Sequence, residues 1–183
     1  FMQKGLQSRF IVHKILILLK SKKISFDHAY SSLTSNKNLK LSDKKLIYTI
    51  VLGSMRNCLK VNKIIENYTK KINKNSDQYF LLLSSITQLI FLQFKDYAVI
   101  NSTVEMAKNK KINAHPSFIN GVLRNVLRNK KKLLEIKIEY KDLPNWFVKK
   151  TKKINENEKL NFLKTIDCKP NLHLVFKHKK ELE

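Results

Sequence analysis

Between Tyr79 and Phe94 sixteen consecutive residues carry no charge, in a chain where charged side chains make up 28% of the total. A bilayer span needs about 20 predominantly apolar residues, and this stretch also contains Ser84, Ser85, Thr87 and Gln88. It therefore predicts a helix buried in protein. A helix that is apolar nearly all round belongs in the middle of others, and Ser84 and Ser85 would let those neighbours approach closely. The expected fold is all-α, a bundle built around this segment.

The flanking sequence supplies amphipathic partners. Phe10, Ile11, Ile15, Leu18 and Leu19 follow helical spacing and predict a helix over 9–20 with Ser8 as its cap. A short helix after Ser25 carries Phe26, Ala29, Tyr30 and Leu33. Ser42 can cap a longer one with Leu46, Ile47, Ile50, Val51 and Met55 on one side, and 59–68 is amphipathic again through Val61, Ile64, Ile65 and Tyr68. The central helix begins near Ser76. Another starts after Asp96 with Ile100, Val104 and Ala107 aligned, and Pro116, suited to a first helical turn, precedes a helix over 117–129. In that last helix Phe118, Val122, Val126 and Ile119, Leu123, Leu127 form adjacent apolar rows. Asn120, Arg124, Arg128 and Gly121, Asn125, Asn129 form the opposite face. Three glycines and three prolines in 183 residues exclude a many-turned β-sandwich and a glycine-rich phosphate loop.

After Leu134 the pattern changes to Ile136, Ile138 and Tyr140, followed by a turn at Pro144 and two short helical stretches, one opened by Trp146 and Phe147 and one over 160–166. Leu172, Leu174 and Phe176 then alternate with His173, Val175 and Lys177, as in a strand with no partner strand. The expected division is a helical domain over 1–140 and, over 141–183, a linker with the start of a second, α/β domain. The chain opens on Phe1 and stops in mid-pattern, which reads as a piece of a longer protein.

The formal charge is +23, which favours polyanions such as nucleic acid or an anionic membrane surface. Of the 37 basic residues 33 are Lys, and with 18 Asn and 18 Ile this is the bias of AT-rich coding DNA. Arginine is then the more informative cation. Cys58 and Cys168 are far apart and show no C-x-x-C spacing, which fits a reducing compartment. The N-terminal apolar stretch 15–19 leads into lysines instead of a cleavage site. A cytoplasmic protein is expected, without membrane attachment.

Two pentapeptides echo one another: Gly53-Ser54-Met55-Arg56-Asn57 and Gly121-Val122-Leu123-Arg124-Asn125. Glycine inside a helix costs about 1 kcal/mol relative to alanine, so each marks a close approach, to a neighbouring helix or to a ligand. Arginine presents a planar fork that matches phosphate, and the Asn120, Arg124, Arg128 row can also stack on bases or read their edges. A solvated helix face is the plainer alternative. Lysine runs at 20–23, 108–111 and 130–132 fall at helix ends, where they complement the helix dipole. Cys168, His173 and His178 give a C-x4-H-x4-H spacing, but residues five apart on a strand face opposite ways and no fourth ligand is near, so no metal site is expected. No paired carboxylates, no Ser/His/Asp set and no activated cysteine occur, and no catalytic residues are assigned.

The order Gly53-x-x-Arg56-Asn57, Gln88-Leu89-Ile90-Phe91-Leu92, Asp96-Tyr97-Ala98-Val99-Ile100-Asn101-x-x-Val104-Glu105-Met106-Ala107-Lys108 and Phe118-Ile119-Asn120-Gly121-Val122-Leu123-Arg124 resembles the NusB/RsmB family over about 9–130. The resemblance implies an all-α bundle of about seven helices that binds RNA. It carries Arg9, Arg56, Asn57, Asn120, Arg124 and Arg128 forward as RNA-binding candidates. One branch comprises antitermination factors that bind RNA with a ribosomal protein. The other comprises 16S ribosomal RNA cytosine-5 methyltransferases with such a domain in front. Arg56-Asn57, Leu123-Arg124 and Leu143-Pro144-x-Trp146-Phe147 are similar to the second branch, as is the run 169–176 apart from His173 and Phe176, where Arg and Asn are usual. On that reading the expected partner is small-subunit ribosomal RNA, with a ribosomal protein as a further candidate. The chain itself carries no cofactor, S-adenosylmethionine and the catalytic cysteines belonging to sequence beyond 183. The alternatives are an antitermination factor and a helical protein-interaction module.

Overall fold

The central segment is the helix α5, Asp77–Ile86, prolonged by a π-helical turn, Thr87–Phe91. The side chain of Ser76 caps it by accepting from the backbone N–H of Tyr79. Every residue from Tyr79 to Ile90 is buried, so the absence of charge is matched by the absence of solvent. The polar residues in this stretch are satisfied largely from within it. Ser84, Ser85 and Thr87 donate to carbonyls one turn back, and Gln88 donates through Nε2 to the Ser84 carbonyl at 3.0 Å. The wide turn ends at Gln93, the one non-glycine residue with positive φ (52°) among those described. The backbone N–H groups of Leu92 and Phe94 there reach back to the carbonyls of Thr87 and Gln88.

In this computed structural model, residues 5–22, 24–35, 39–69 and 71–168 are described. The chain divides into two compact units between Lys137 and Ile138, where the sequence placed a boundary at 140/141. In the first unit α5 is packed by α1 (Leu6–Ser21), α3 (Leu41–Arg56), α4 (Cys58–Tyr68), α6 (Asp96–Ala107) and α7 (Pro116–Arg128), with α2 (Phe26–Thr34) lying on α1 and the short α8 (Lys130–Leu134) on the π turn. The fold is all-α, as expected. A helix follows Ser25 and Pro116 occupies the first turn of α7, both as the sequence indicated, and the Ser25 side chain caps α2.

Three expectations are corrected. Ser8 does not cap α1: the helix starts earlier, from Gly5 in the left-handed region (φ 86°), and Ser8 is buried inside it, donating to Asp43 Oδ1 at 3.1 Å. Ser42 does not cap α3, which begins after Lys40 with no side-chain cap. Met55 is off the core face, 48% exposed, because the buried stripe of α3 runs through Ile47, Ile50, Val51 and Ser54.

The second unit is helical over its described residues. A 3-10 turn, Tyr140–Asp142, precedes α9 (Asn145–Lys150) and α10 (Glu156–Asp167). Asn155 and Glu158 form a capping box at the start of α10. Phe147 stacks on Phe162 at 4.9 Å and also meets Trp146 and Tyr140. The expected strand over 172–176, and with it the α/β character of the second domain, lies outside the described residues, as do His173 and His178.

Candidate nucleic-acid interface

The two glycine-arginine pentapeptides diverge in the fold. At Gly53 a β-carbon would stand 3.3 Å from both Leu92 methyls and from Thr87 Cγ2, so this glycine lets α3 close on the end of the central helix. At Gly121 a β-carbon would meet nothing within 4 Å, and the residue lies on the exposed face of α7. Gly53 is a packing glycine. No packing accounts for Gly121.

The true structural counterpart of Arg56-Asn57 is Arg128-Asn129. Each pair ends one helix and leads directly into the next, α3 into α4 and α7 into α8, and the two asparagines adopt nearly the same backbone angles (φ −97°, ψ 10° and φ −101°, ψ 13°). Each donates from Nδ2 to the carbonyl four residues back, Asn57 to Gly53 and Asn129 to Asn125, both at 2.9 Å. The asparagine satisfies a helix-end carbonyl and forms the corner. The arginine before it is left at the surface.

The six candidates therefore separate. Arg9 stands apart from the others: its guanidinium is half-buried, with Nε donating to Gln88 Oε1 at 2.9 Å and a terminal nitrogen donating to the Gly5 carbonyl at 3.2 Å, and burial lowers its pKa. It ties α1 to the central helix. Asn57 is engaged in its corner. Arg124 and Arg128 are exposed on α7, where each is oriented by a neutral side chain: Arg124 Nε donates to Asn120 Oδ1 at 3.1 Å and Arg128 donates to Asn125 Oδ1 at 3.2 Å. Arg56 is exposed at the end of α3. None of these three is paired with a carboxylate among the described residues. One lysine in each of two runs is compensated, Lys108 by Glu105 and Lys130 by Asp96, both at 3.1 Å. Lys110, Lys111, Lys131 and Lys132 share with the arginines the lack of a carboxylate partner among the described residues.

Two concavities adjoin them. A polar groove of about 310 Å³ between α6 and α7 is bounded by Asn101, Glu105, Lys108, Asn120 and Arg124. A second, of about 660 Å³, runs along α3 beside the π turn and is lined by Tyr48, Leu52, Gly53, Arg56, Phe91 and Leu92 among others. Tyr48 is 48% exposed, and its ring is set by edge contacts to Phe26 (5.3 Å) and Tyr30 (5.8 Å). Sequence reasoning passed over Tyr48. The available signal was an aromatic residue one place off the apolar stripe of a helix that ends in Arg56.

The sequence profile of the NusB family matches residues 6–128, from the first residue of α1 to the last of α7. The chain belongs to the NusB family. It is 28% identical over 128 residues to the transcription antitermination protein NusB of Clostridium novyi (strain NT), covering 67% of this chain and 96% of that protein. The protein of the same name from Buchnera aphidicola subsp. Cinara cedri is 33% identical over 114 residues, 60% of this chain and 80% of that one. That of Finegoldia magna is 31% identical over 97 residues, 51% and 71% respectively. The matched NusB stretch contains all six candidate residues. The short helix α8 and the second unit lie beyond it. No helix among the described residues is long and apolar enough to cross a membrane, and no group of three or more His, Cys, Asp or Glu among them is placed to hold a metal.

Proposed function

We propose that this NusB-family protein binds RNA through Arg56, Arg124 and Arg128 and acts as a transcription antitermination factor, with a ribosomal protein as its partner. The observation that carries the reading is the state of the α7 arginines. They are exposed, oriented by asparagines and without a carboxylate partner among the described residues, so each keeps N–H donors for phosphate or a base edge. The names of the relatives support antitermination as the setting.

The test is a salt titration of affinity for a ribosomal RNA fragment. Arg124→Lys with Arg128→Lys keeps the charge and removes the planar fork, and should weaken binding by about 1–3 kcal/mol, the range for a good bidentate contact. Lys131→Ala with Lys132→Ala should instead flatten the salt dependence, by about one unit of slope per lost phosphate contact. An arginine variant that bound as wild type, beside a lysine variant that lost most of its affinity, would reduce the binding to generic polyanion attraction. Terminator read-through in a transcription assay, with and without the ribosomal protein, then tests the setting.

A second reading is favoured by the second unit. Its Pro144-x-Trp146-Phe147 turn opens α9 and packs on α10 through Phe147 and Phe162, where the matched NusB stretch has already ended. This suits the front domain of an S-adenosylmethionine-dependent ribosomal RNA methyltransferase acting on small-subunit RNA. The downstream reading frame decides: a Pro-Cys motif after a glycine-rich strand-turn-helix supports the methyltransferase.

A further inference from the structure

The groove along α3 is unlike the α7 face, because it combines an exposed ring, an apolar wall and Arg56, a cation without a carboxylate partner among the described residues. Tyr48 stands at one end, fixed by the Phe26 and Tyr30 rings, and the Tyr30 hydroxyl donates to the Lys44 carbonyl at 3.1 Å, so the three-ring cluster is anchored to the backbone of α3. Phe91 and Leu92 supply the wall. Arg56 stands at the other end, eight residues on, which in an α-helix is about 12 Å along the axis. A volume of about 660 Å³ lies within the range of small-ligand sites.

We infer that this groove is a single-strand subsite: the Tyr48 ring stacks one unpaired base of RNA while Arg56 holds a phosphate further along the same strand. The inference rests on the RNA reading above and adds to it a second contact surface with a different chemistry. The α7 arginines recognise charge and edges. The α3 groove requires a base that is free of its own helix, because a paired base keeps both faces inside the stack. Aromatic stacking accepts any base, so the groove prefers single strands over duplexes without selecting a sequence. The open cation at Arg56 and the net charge of +23 favour a polyanionic strand as the occupant over an apolar peptide.

The experiment compares three fluorescent probes: a single-stranded oligouridine RNA, an oligomer of equal length and charge with its bases removed, and an RNA duplex. Tyr48→Leu should bind oligouridine roughly 5- to 150-fold more weakly than wild type, the effect of losing one base-stacking ring. Tyr48→Phe should stay within about twofold. Both variants should match wild type on the base-free oligomer and on the duplex. If Tyr48→Leu binds oligouridine as wild type does, or loses the same factor on all three probes, the groove inference is overturned. If Arg124→Lys/Arg128→Lys weakens binding while Tyr48→Leu does not, the RNA reading stands and only the groove falls. Absence of binding to every probe removes both. Should Tyr48→Leu fail to fold, wild type crosslinked to oligomers carrying 5-iodouridine gives an independent answer. The adduct belongs on the tryptic peptide 46–56, and adducts confined to other peptides refute the assignment.

Discussion

Two similar pentapeptides placed in two environments offer a measurement in which the helix-propensity contribution cancels. Replacing a glycine by alanine inside a helix stabilises by about 0.5–1 kcal/mol when the new methyl meets nothing. That is the case at Gly121, and Gly121→Ala should raise stability by that amount. At Gly53 the same gain is offset by overpacking, because the β-carbon would sit 3.3 Å from two Leu92 methyls and Thr87 Cγ2. An inserted methyl in a well-packed site costs about 1–3 kcal/mol. The difference between the two variants is then the overpacking cost alone, about 1–3 kcal/mol, with Gly53→Ala the less stable. Urea unfolding followed by helical circular dichroism reads this as a shift in midpoint at constant m. Thermal unfolding reads it as about 2–4 °C for each kcal/mol. Equal shifts for both variants, or loss of stability at Gly121, would refute the assignment of one glycine to packing and the other to the open face.

Burial holds the His13 imidazole pKa below the ordinary histidine value, with Asp77 partly opposing it across a 3.0 Å hydrogen bond. The unfolded chain therefore takes up a proton near pH 6.5 that the folded protein refuses, and stability should fall as pH drops below about 6.5, by at most about 1.4 kcal/mol per unit. Urea midpoints at pH 7.5 and 5.5 for wild type and His13→Gln check this, since an unchanged pH dependence in the variant would exonerate His13. Arg9→Met leaves Gln88 Oε1 without its donor and should cost about 1–3 kcal/mol. The same unfolding assay detects it, and RNA affinity per folded molecule should not change. Asn57→Ala and Asn129→Ala each remove a side-chain bond to a helix-end carbonyl, and each should cost about 0.5–1.5 kcal/mol. A large effect at one corner and none at the other would mean the two corners are not equivalent.

Much of the fold is legible in the sequence because its signals are local. A charge-free run, a serine ahead of it and a proline at a helix start each act within one or two turns, and α5, the helix starts near Ser76 and Ser25 and the start of α7 follow from them. Ser8 and Ser42 show where local signals mislead. Each carries a capping residue's chemistry, yet Gly5 starts α1 one turn early and Lys40 precedes α3, and Ser8 is drawn to Asp43, 35 residues away. The π turn that ends the central helix left no mark in the apolar run.

The candidate site divides in the same way. The sequence by itself determined that arginine is scarce and that Asn120, Arg124 and Arg128 share one helical row, because helix periodicity is a property of the chain. Only the tertiary structure decided what each side chain is for. Arg9 and Arg124 are the same residue type on amphipathic helices, but Gln88 of the central helix lies against one and solvent against the other. Gly53 and Gly121 sit in matching pentapeptides, but the π turn reaches only the first. Tyr48 gains its setting from Phe26 and Tyr30 on a different helix. The partners of Arg9, Gly53 and Tyr48 come from distant parts of the chain, and no local pattern of residues carries that information.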